Sequence, residues 1–291
     1  MKSLMLSEVT SDDVVAYRIE QQFRYSYEST VHNVRERLVV APRRVHGGQR
    51  RRSFSIAVED ALAVSSLSPD GFGNDVVTVT LDSVESTVSF MSSADVDIHP
   101  NSGRSSVCPT ALADIRYLAP TKLTRPDRRL SQIAADIARG ASGESLAALI
   151  CSWTHAAIEY GYGTTSVRTT ASEAARGGRG VCQDFAHIMI ALCRSVGLPA
   201  RYVSGHMVGE GGSHAWVEVL LADENGPSAI AFDPTHNRRV SERYLTVAVG
   251  RDYADVAPTS GTFEGACSSM LTSAKRLFVR EEQETGTAVS H

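Results

Sequence analysis

No stretch of this chain is apolar for long enough to span a bilayer, and the first eight residues, Met1-Lys2-Ser3-Leu4-Met5-Leu6-Ser7-Glu8, hold too short an apolar run for a secretory leader. No membrane partner is therefore expected. An excess of one charge is also missing: 29 basic against 33 acidic residues leave a net charge of -4, which gives no reason to expect nucleic acid. Cysteine is scarce. Cys108, Cys151, Cys182, Cys193 and Cys267 are an odd number with no paired ligand spacing, so neither a disulfide framework nor a zinc site is indicated. Free thiols suit a reducing, cytoplasmic location, and no cofactor is implied. What remains is 291 residues of ordinary composition, 42% hydrophobic and 21% charged, enough for one large domain or two of usual size.

The chain changes character at residues 178–206. Gly177, Gly178 and Gly180 make the approach to Cys182 a loop that tolerates positive φ. Beyond it, Phe185, Ile188, Met189, Leu192 and Val196 recur with the spacing of one helix face, and Gly197 and Pro199 end the helix. Cys182 thus stands at a helix N-terminus, where unpaired N–H groups and the positive end of the dipole favour a thiolate.

Downstream, Ala215, Val217, Val219 and Leu221 alternate with His214, Trp216 and Glu218, the pattern of a half-buried strand. A turn cluster at residues 222–227 and a short apolar run ending in Phe232-Asp233-Pro234 make a hairpin that carries Asp233 to the strand of His214. A turn centred between Asp223 and Glu224 sets Asp233 opposite His214, whereas one centred on Asn225-Gly226 displaces it by about four positions. A thiol, an imidazole and a carboxylate so arranged are a nucleophile, a base and the group that orients the base.

Four segments then resemble a family: Gly180-Val181-Cys182-Gln183-Asp184-Phe185-Ala186-His187, Gly197-Leu198-Pro199-Ala200-Arg201-Tyr202-Val203-Ser204-Gly205, Ser213-His214-Ala215-Trp216-Val217-Glu218 and Phe232-Asp233-Pro234-Thr235. Together they look like the core of the transglutaminase-like superfamily, and most like the bacterial group with its own N-terminal β domain. The resemblance implies a papain-like fold with Cys182, His214 and Asp233 as the catalytic triad. The papain-type arrangement also has a Gln shortly before its cysteine to help hold the oxyanion. Residues 172–179 contain none, so the second oxyanion donor, beside the Cys182 N–H, is unassigned.

The amino-terminal part reads as short strands. Tyr17, Ile19, Phe23, Tyr25 and Tyr27 alternate, residues 38–41 continue the pattern, and residues 76–81 and 84–91 flank a turn at Asp82-Ser83. The glycine-rich turn at residues 69–75 resembles the same bacterial group. Strands so spaced indicate a β-sandwich-like module. The basic run at residues 43–52, interrupted by Gly47-Gly48, reads as a solvated hairpin loop rather than an anion site. His32, His46 and His99 are read without a catalytic role.

From Pro126 the pattern turns helical. Leu130, Ile133, Ala134 and Ile137 form one face, residues 140–143 break it, and Leu146, Leu149, Ile150, Trp153 and Ala157 form another, with Cys151 read as packing. Cys193 reads the same way, since eleven residues of helix put it about 16 Å from Cys182. Asp184 is read as stabilising the helix start, and His187 as a satisfied helix residue. His236 and the segment Arg251-Asp252-Tyr253 receive no assigned role. Residues 270–279 can supply one of the final pair of strands usual in the bacterial group, and residues 281–291 are expected to be disordered.

The fold expected is α+β: a β-sandwich-like domain over residues 1–120 and a papain-like core over residues 121–291, joined near residues 120–127 by an exposed connection that few contacts cross. The function expected is acyl transfer or hydrolysis of an amide or peptide bond through a Cys182 thioester, with a protein, peptide or small amide as substrate. Amide ligation from a small thioester and a catalytically silent binding scaffold are the alternatives. Oligomeric state and acyl acceptor are not encoded in any of these patterns.

Overall fold

A computed structural model describes residues 14–59, 63–100, 103–209 and 211–280. The expectations for residues 1–8 and for the tail 281–291 lie outside the described residues.

Strands dominate. The first part comprises β1 (Val15–Tyr27), β2 (Val31–Leu38), β3 (Val45–His46), β4 (Gln49–Glu59), β5 (Val64–Pro69), β6 (Asp75–Val84), β7 (Thr87–Ile98) and β8 (Arg104–Ser106). Next come the short helix α1 (Ile115–Leu118), the helices α2 (Arg128–Ile137) and α3 (Gly143–Ala157), strand β9 (Glu159–Tyr160), helix α4 (Ala171–Gly177), strand β10 (Arg179–Gly180) and helix α5 (Cys182–Ser195). Strands β11 (Ala200–Met207), β12 (His214–Asp223), β13 (Gly226–Asp233), β14 (Arg238–Arg239) and β15 (Tyr244–Gly250), helix α6 (Tyr253–Val256) and strands β16 (Thr259–Glu264) and β17 (Ser269–Val279) complete it.

Alternation decides the faces. In β1, Tyr17, Ile19, Phe23 and Tyr27 are buried while Arg18, Glu20 and Arg24 face outward. One sheet runs β17-β1-β7-β4-β3 and a second β16-β2-β6-β5. Phe23, Tyr27 and Phe90 of the first share an apolar core with Val34, Leu38, Val79 and Leu81 of the second. The turn expected at Asp82-Ser83 falls instead at residues 85–86, because Val84 continues the strand and pairs, buried, with Val31.

The remaining sheet runs β14-β13-β12-β11-β15, with β8 joined to β13. Against one of its faces lies α5, whose Phe185, Ile188, Met189 and Leu192 are all buried in the largest apolar cluster. Each side chain of that size, removed from water, contributes roughly 1.5–3 kcal/mol. Asp127 caps α2 by accepting from the Leu130 N–H at 2.9 Å, and Gly197, at φ 75°, closes α5 where the sequence predicts its end. Cys151 and Cys193 are buried in this cluster, as packing residues should be.

The division at residue 120 departs from the strand pairing. Residues 259–279, grouped above with the core, return to the first two sheets: β16 pairs with β2 and β17 with β1 over its whole length. The junction is also tied by buried bonds. Gln49 donates to the Thr246 carbonyl at 2.8 Å and accepts from the Thr246 N–H at 2.8 Å, and Asn74 bridges the Val249 N–H and carbonyl in the same way. The connection itself is exposed only in part: Pro120, Lys122 and Arg125 face solvent, while Leu123 and Thr124 are buried. Buried Arg194 donates to the carbonyls of Tyr117 at 3.0 Å and Ala119 at 3.2 Å and to Thr124 Oγ1 at 3.0 Å.

Two further expectations change for the same reason. Strand β12 was expected half-buried, yet His214, Trp216 and Glu218 are as buried as the face against α5. The β3–β4 hairpin covers that face, His46 Nε2 meeting Glu218 Oε1 at 2.6 Å. Within the basic run the Arg51 side chain is buried against Asp75 at 2.6 Å, while Arg44, Val45, Arg50 and Arg52 are exposed, so a solvated loop describes only part of it.

Candidate active site

The loop before α5 is shaped by close approach. Gly178 is left-handed at φ 70°, while Gly180 has no room for a side chain: a Cβ there would stand 2.7 Å from Cβ of Asp184. Asp184 Oδ2 accepts from the Val181 N–H at 2.8 Å and from Thr165 Oγ1 at 2.7 Å, so it fastens the helix start as expected. Cys182 opens α5, partly exposed, and its own N–H is one of the first-turn donors without an intrahelical acceptor.

The β12–β13 register puts the other two residues in place. Asp223 pairs with Gly226 across a two-residue turn at Glu224-Asn225, and the ladder runs to Val217 opposite Phe232. Extended one step, it sets Asp233 opposite Trp216, between the two registers weighed from sequence. His214 and Asp233 are then diagonal neighbours on the same face, since side chains two positions apart along a strand point the same way. His214 Nε2 reaches Asp233 Oδ2 at 2.8 Å.

Asp233 is fully buried and heavily bonded. Its Oδ2 accepts from His214, from His236 Nδ1 at 2.8 Å and from the Tyr244 hydroxyl at 2.7 Å, and its Oδ1 from the N–H groups of Thr235 at 2.9 Å and His236 at 3.3 Å. Burial alone would raise its pKa, but these bonds, led by His214, outweigh it and hold the carboxyl well below the usual range. An ionised carboxylate only accepts, so His214 Nε2 and His236 Nδ1 both carry protons. Nδ1 of His214 is left for Cys182. Burial would lower the His214 pKa, yet its hydrogen bonds to Asp233 and Cys182 overcome that and raise it to about 10. The pairing with Asp233 therefore favours the imidazolium form.

His236, given no role from sequence, shares the carboxylate of Asp233, and its ring lies 5.3 Å from that of His214. His214, Asp233 and His236 bring ligand-type atoms within 4.8 Å of one another. The hydrogen bonds on Asp233 Oδ2 account for that cluster without an ion. His187 is wholly buried, accepts from the Tyr253 N–H at 3.2 Å, and is pushed down to about 3 by burial and by Arg194, which keeps it neutral. Of the last segment, Asp252 caps α6 and Arg251 pairs with Asp255.

Sequence reasoning missed two tyrosines. Tyr244 lies in β15, on the far side of β11 from β12, and no motif or spacing connects it to Asp233. Tyr202 is buried, its ring 5.3 Å from that of His187 and tilted 44° to it; burial, then the nearby charges led by Cys182, raise its pKa well above normal. Gln183, next to Cys182, points its amide to the Ser166 carbonyl at 3.4 Å.

Comparison with known proteins finds relatives over both parts of the chain. A model of the transglutaminase-like superfamily matches residues 131–234, and one of the bacterial transglutaminase-like N-terminal region matches residues 17–97. An uncharacterised protein of Mycobacterium leprae is 36% identical over 158 residues, covering 51% of this chain and 55% of that protein. One of Mycobacterium tuberculosis is 29% identical over 287 residues, covering 84% and 86%. Among solved structures, a protein of Cytophaga hutchinsonii described as a candidate cysteine protease superposes with a TM-score of 0.74 at 24% identity, covering 92% of each chain.

Proposed function

Because this chain belongs to the transglutaminase-like superfamily, we propose that it cleaves or transfers amide acyl groups through a thioester on Cys182. The observation that carries this reading is the bonded series Cys182, His214, Asp233, begun at a helix N-terminus and closed by an ionised, buried carboxylate. The scaffold is read as papain-like: the helix that bears the sulfur packs on the antiparallel sheet that bears the imidazole and carboxylate.

In the first half-reaction the Cys182 sulfur attacks the carbonyl carbon, and the C–S bond forms. The developing oxyanion receives the Cys182 N–H, and the Nδ1 proton of His214 passes to the departing nitrogen as the C–N bond breaks. Ammonia or an amine leaves. His214 is now neutral and takes a proton from water or a second amine, which attacks the thioester and releases the sulfur as thiolate. Asp233 keeps Nε2 protonated and stabilises the imidazolium at both ends of the cycle.

Intact-mass spectrometry tests this. Incubation with carboxamide and peptide donors should give an acyl adduct that maps to Cys182, and a primary amine should shorten its lifetime if transamidation resolves it. Protein that never gains such an adduct from any donor, while its Cys182 remains alkylatable, would fit the binding-scaffold alternative instead.

A further inference from the structure

The basic run at residues 43–52 has no part in that chemistry. Its hairpin turn, Gly47-Gly48, forms one lip of a pocket of about 550 Å³ between the two halves of the molecule. Arg43, Arg50, Arg104 and Arg201 line this pocket with His46 and Ser105, and no carboxylate lines it. The pocket lies on the face of the sheet away from α5: Arg201 is bonded to Glu218, whereas Val217 and Val219 belong to the cluster that packs on the helix.

The charges do not balance locally. Arg201 is compensated by Glu218 at 2.7 Å, and Arg104 by Asp223 at 2.8 Å and Glu144 at 2.6 Å. Arg43 and Arg50 have no ion pair among the described residues. Arg43 donates only to the Phe72 carbonyl at 3.1 Å and Asn74 Oδ1 at 2.8 Å, and Arg50 only to the carbonyls of Gly47 at 2.7 Å and Gln49 at 2.8 Å. Among the residues that line the pocket, two buried polar atoms have no hydrogen-bond partner: Arg43 Nε and the hydroxyl of Ser105, a residue only 8% exposed. An unpartnered buried donor costs about 1–3 kcal/mol, so two of them in the wall of a pocket lined by guanidinium groups without an ion pair favour an acceptor there.

We propose that this pocket binds a phosphate group, free or as the monoester of a small molecule, held by Arg43, Arg50 and the Ser105 hydroxyl. Two guanidinium groups without an ion pair match a dianion better than a single carboxylate, and guanidinium forks suit phosphate oxygens. The volume is larger than the ion requires, which leaves room for the organic part of an ester.

Isothermal titration calorimetry at fixed ionic strength tests the site on the whole chain, with inorganic phosphate, glycerol 3-phosphate, acetate and glycerol as titrants. Saturable one-to-one binding is expected for the two phosphates, with acetate weaker by about tenfold or more and glycerol silent. Tighter binding of glycerol 3-phosphate would assign the site to an ester, and equal binding to the free ion. Arg50→Gln, at an exposed position, and Ser105→Ala should each weaken phosphate by roughly tenfold with an unchanged circular dichroism spectrum. Cys182→Ala should bind as the parent does, which separates this site from the acyl chemistry. The proposal is overturned if neither phosphate saturates, if acetate binds as well, or if both Arg50→Gln and Ser105→Ala leave the affinity unchanged.

Discussion

His214 and Asp233 meet on a diagonal: the ladder sets Asp233 opposite Trp216, two positions from His214, and the 2.8 Å bond crosses that offset. An offset of two keeps both side chains on one face, and an offset of one would have turned the carboxylate away. The three candidate residues should therefore fail in different ways. Cys182→Ala should abolish the acyl adduct. His214→Ala should slow its formation by on the order of 10²- to 10⁴-fold, and Asp233→Asn should leave the fold while slowing the same step. Single-turnover mass spectrometry measures all three.

His236 gives a graded control. It supplies one of three donors to Asp233 Oδ2, so His236→Ala should cost less than His214→Ala, within about tenfold of the parent rate. A loss equal to that of His214→Ala in folded protein would make His236 the base and undo the assignment.

Thiol labelling should sort the cysteines by environment. Cys151 and Cys193 are buried, which pushes both up to about 12, and neither should alkylate in the native state. Cys108 is exposed, and the Thr110 hydroxyl beside it lowers its pKa, so it should label alongside Cys182. His214→Ala should slow iodoacetamide at Cys182 and leave Cys108 alone. Peptide mapping that finds both rates unchanged would remove the imidazole from the sulfur's surroundings.

The stability of the protein should carry the signature of His214. Its folded pKa, about 10, lies above the ordinary 6.5, so its contribution is complete below about pH 6.5 and is lost as pH rises through 10. Asp233 has the opposite sign, since its depressed pKa adds stability above the usual 3.8 that is lost on acidification. Urea unfolding should thus show the stability gap between parent and Asp233→Asn shrinking from pH 6.5 to 10. A gap that widens there would contradict the pairing.

Arg194 holds the connection between the halves. Besides Tyr117, Ala119 and Thr124, it donates to the carbonyls of Ala200 and Arg251, each at 2.8 Å. Arg194→Met strands these acceptors and should cost about 1–3 kcal/mol or more in chemical denaturation. Trypsin should spare Lys122 and Arg125 in the parent and cut there in the variant. Prompt cleavage of the parent would restore the loose two-domain picture.

Much of the site was legible in the amino-acid order because it depends on local rules. The face of α5, its end at Gly197 and the place of Cys182 at its start follow from a 3.6-residue period and a helix stop. The pairing of β12 with β13 follows from two alternating runs around a turn, although its register did not, since several turn residues compete within residues 222–227. Other features have no local cause. Tyr244 reaches Asp233 from another strand, His46 seals Glu218 from the β3–β4 hairpin, and β16 and β17 leave the core to pair with β2 and β1. Each joins residues far apart in the chain, and no period or spacing records which distant surface a buried donor will meet. Sequence alone determined the α5 helix, the place of Cys182 at its start and the β12–β13 hairpin; tertiary packing decided the hydrogen bonds around Asp233 and the seam between the halves, because there each polar group had to find its partner out of reach of water.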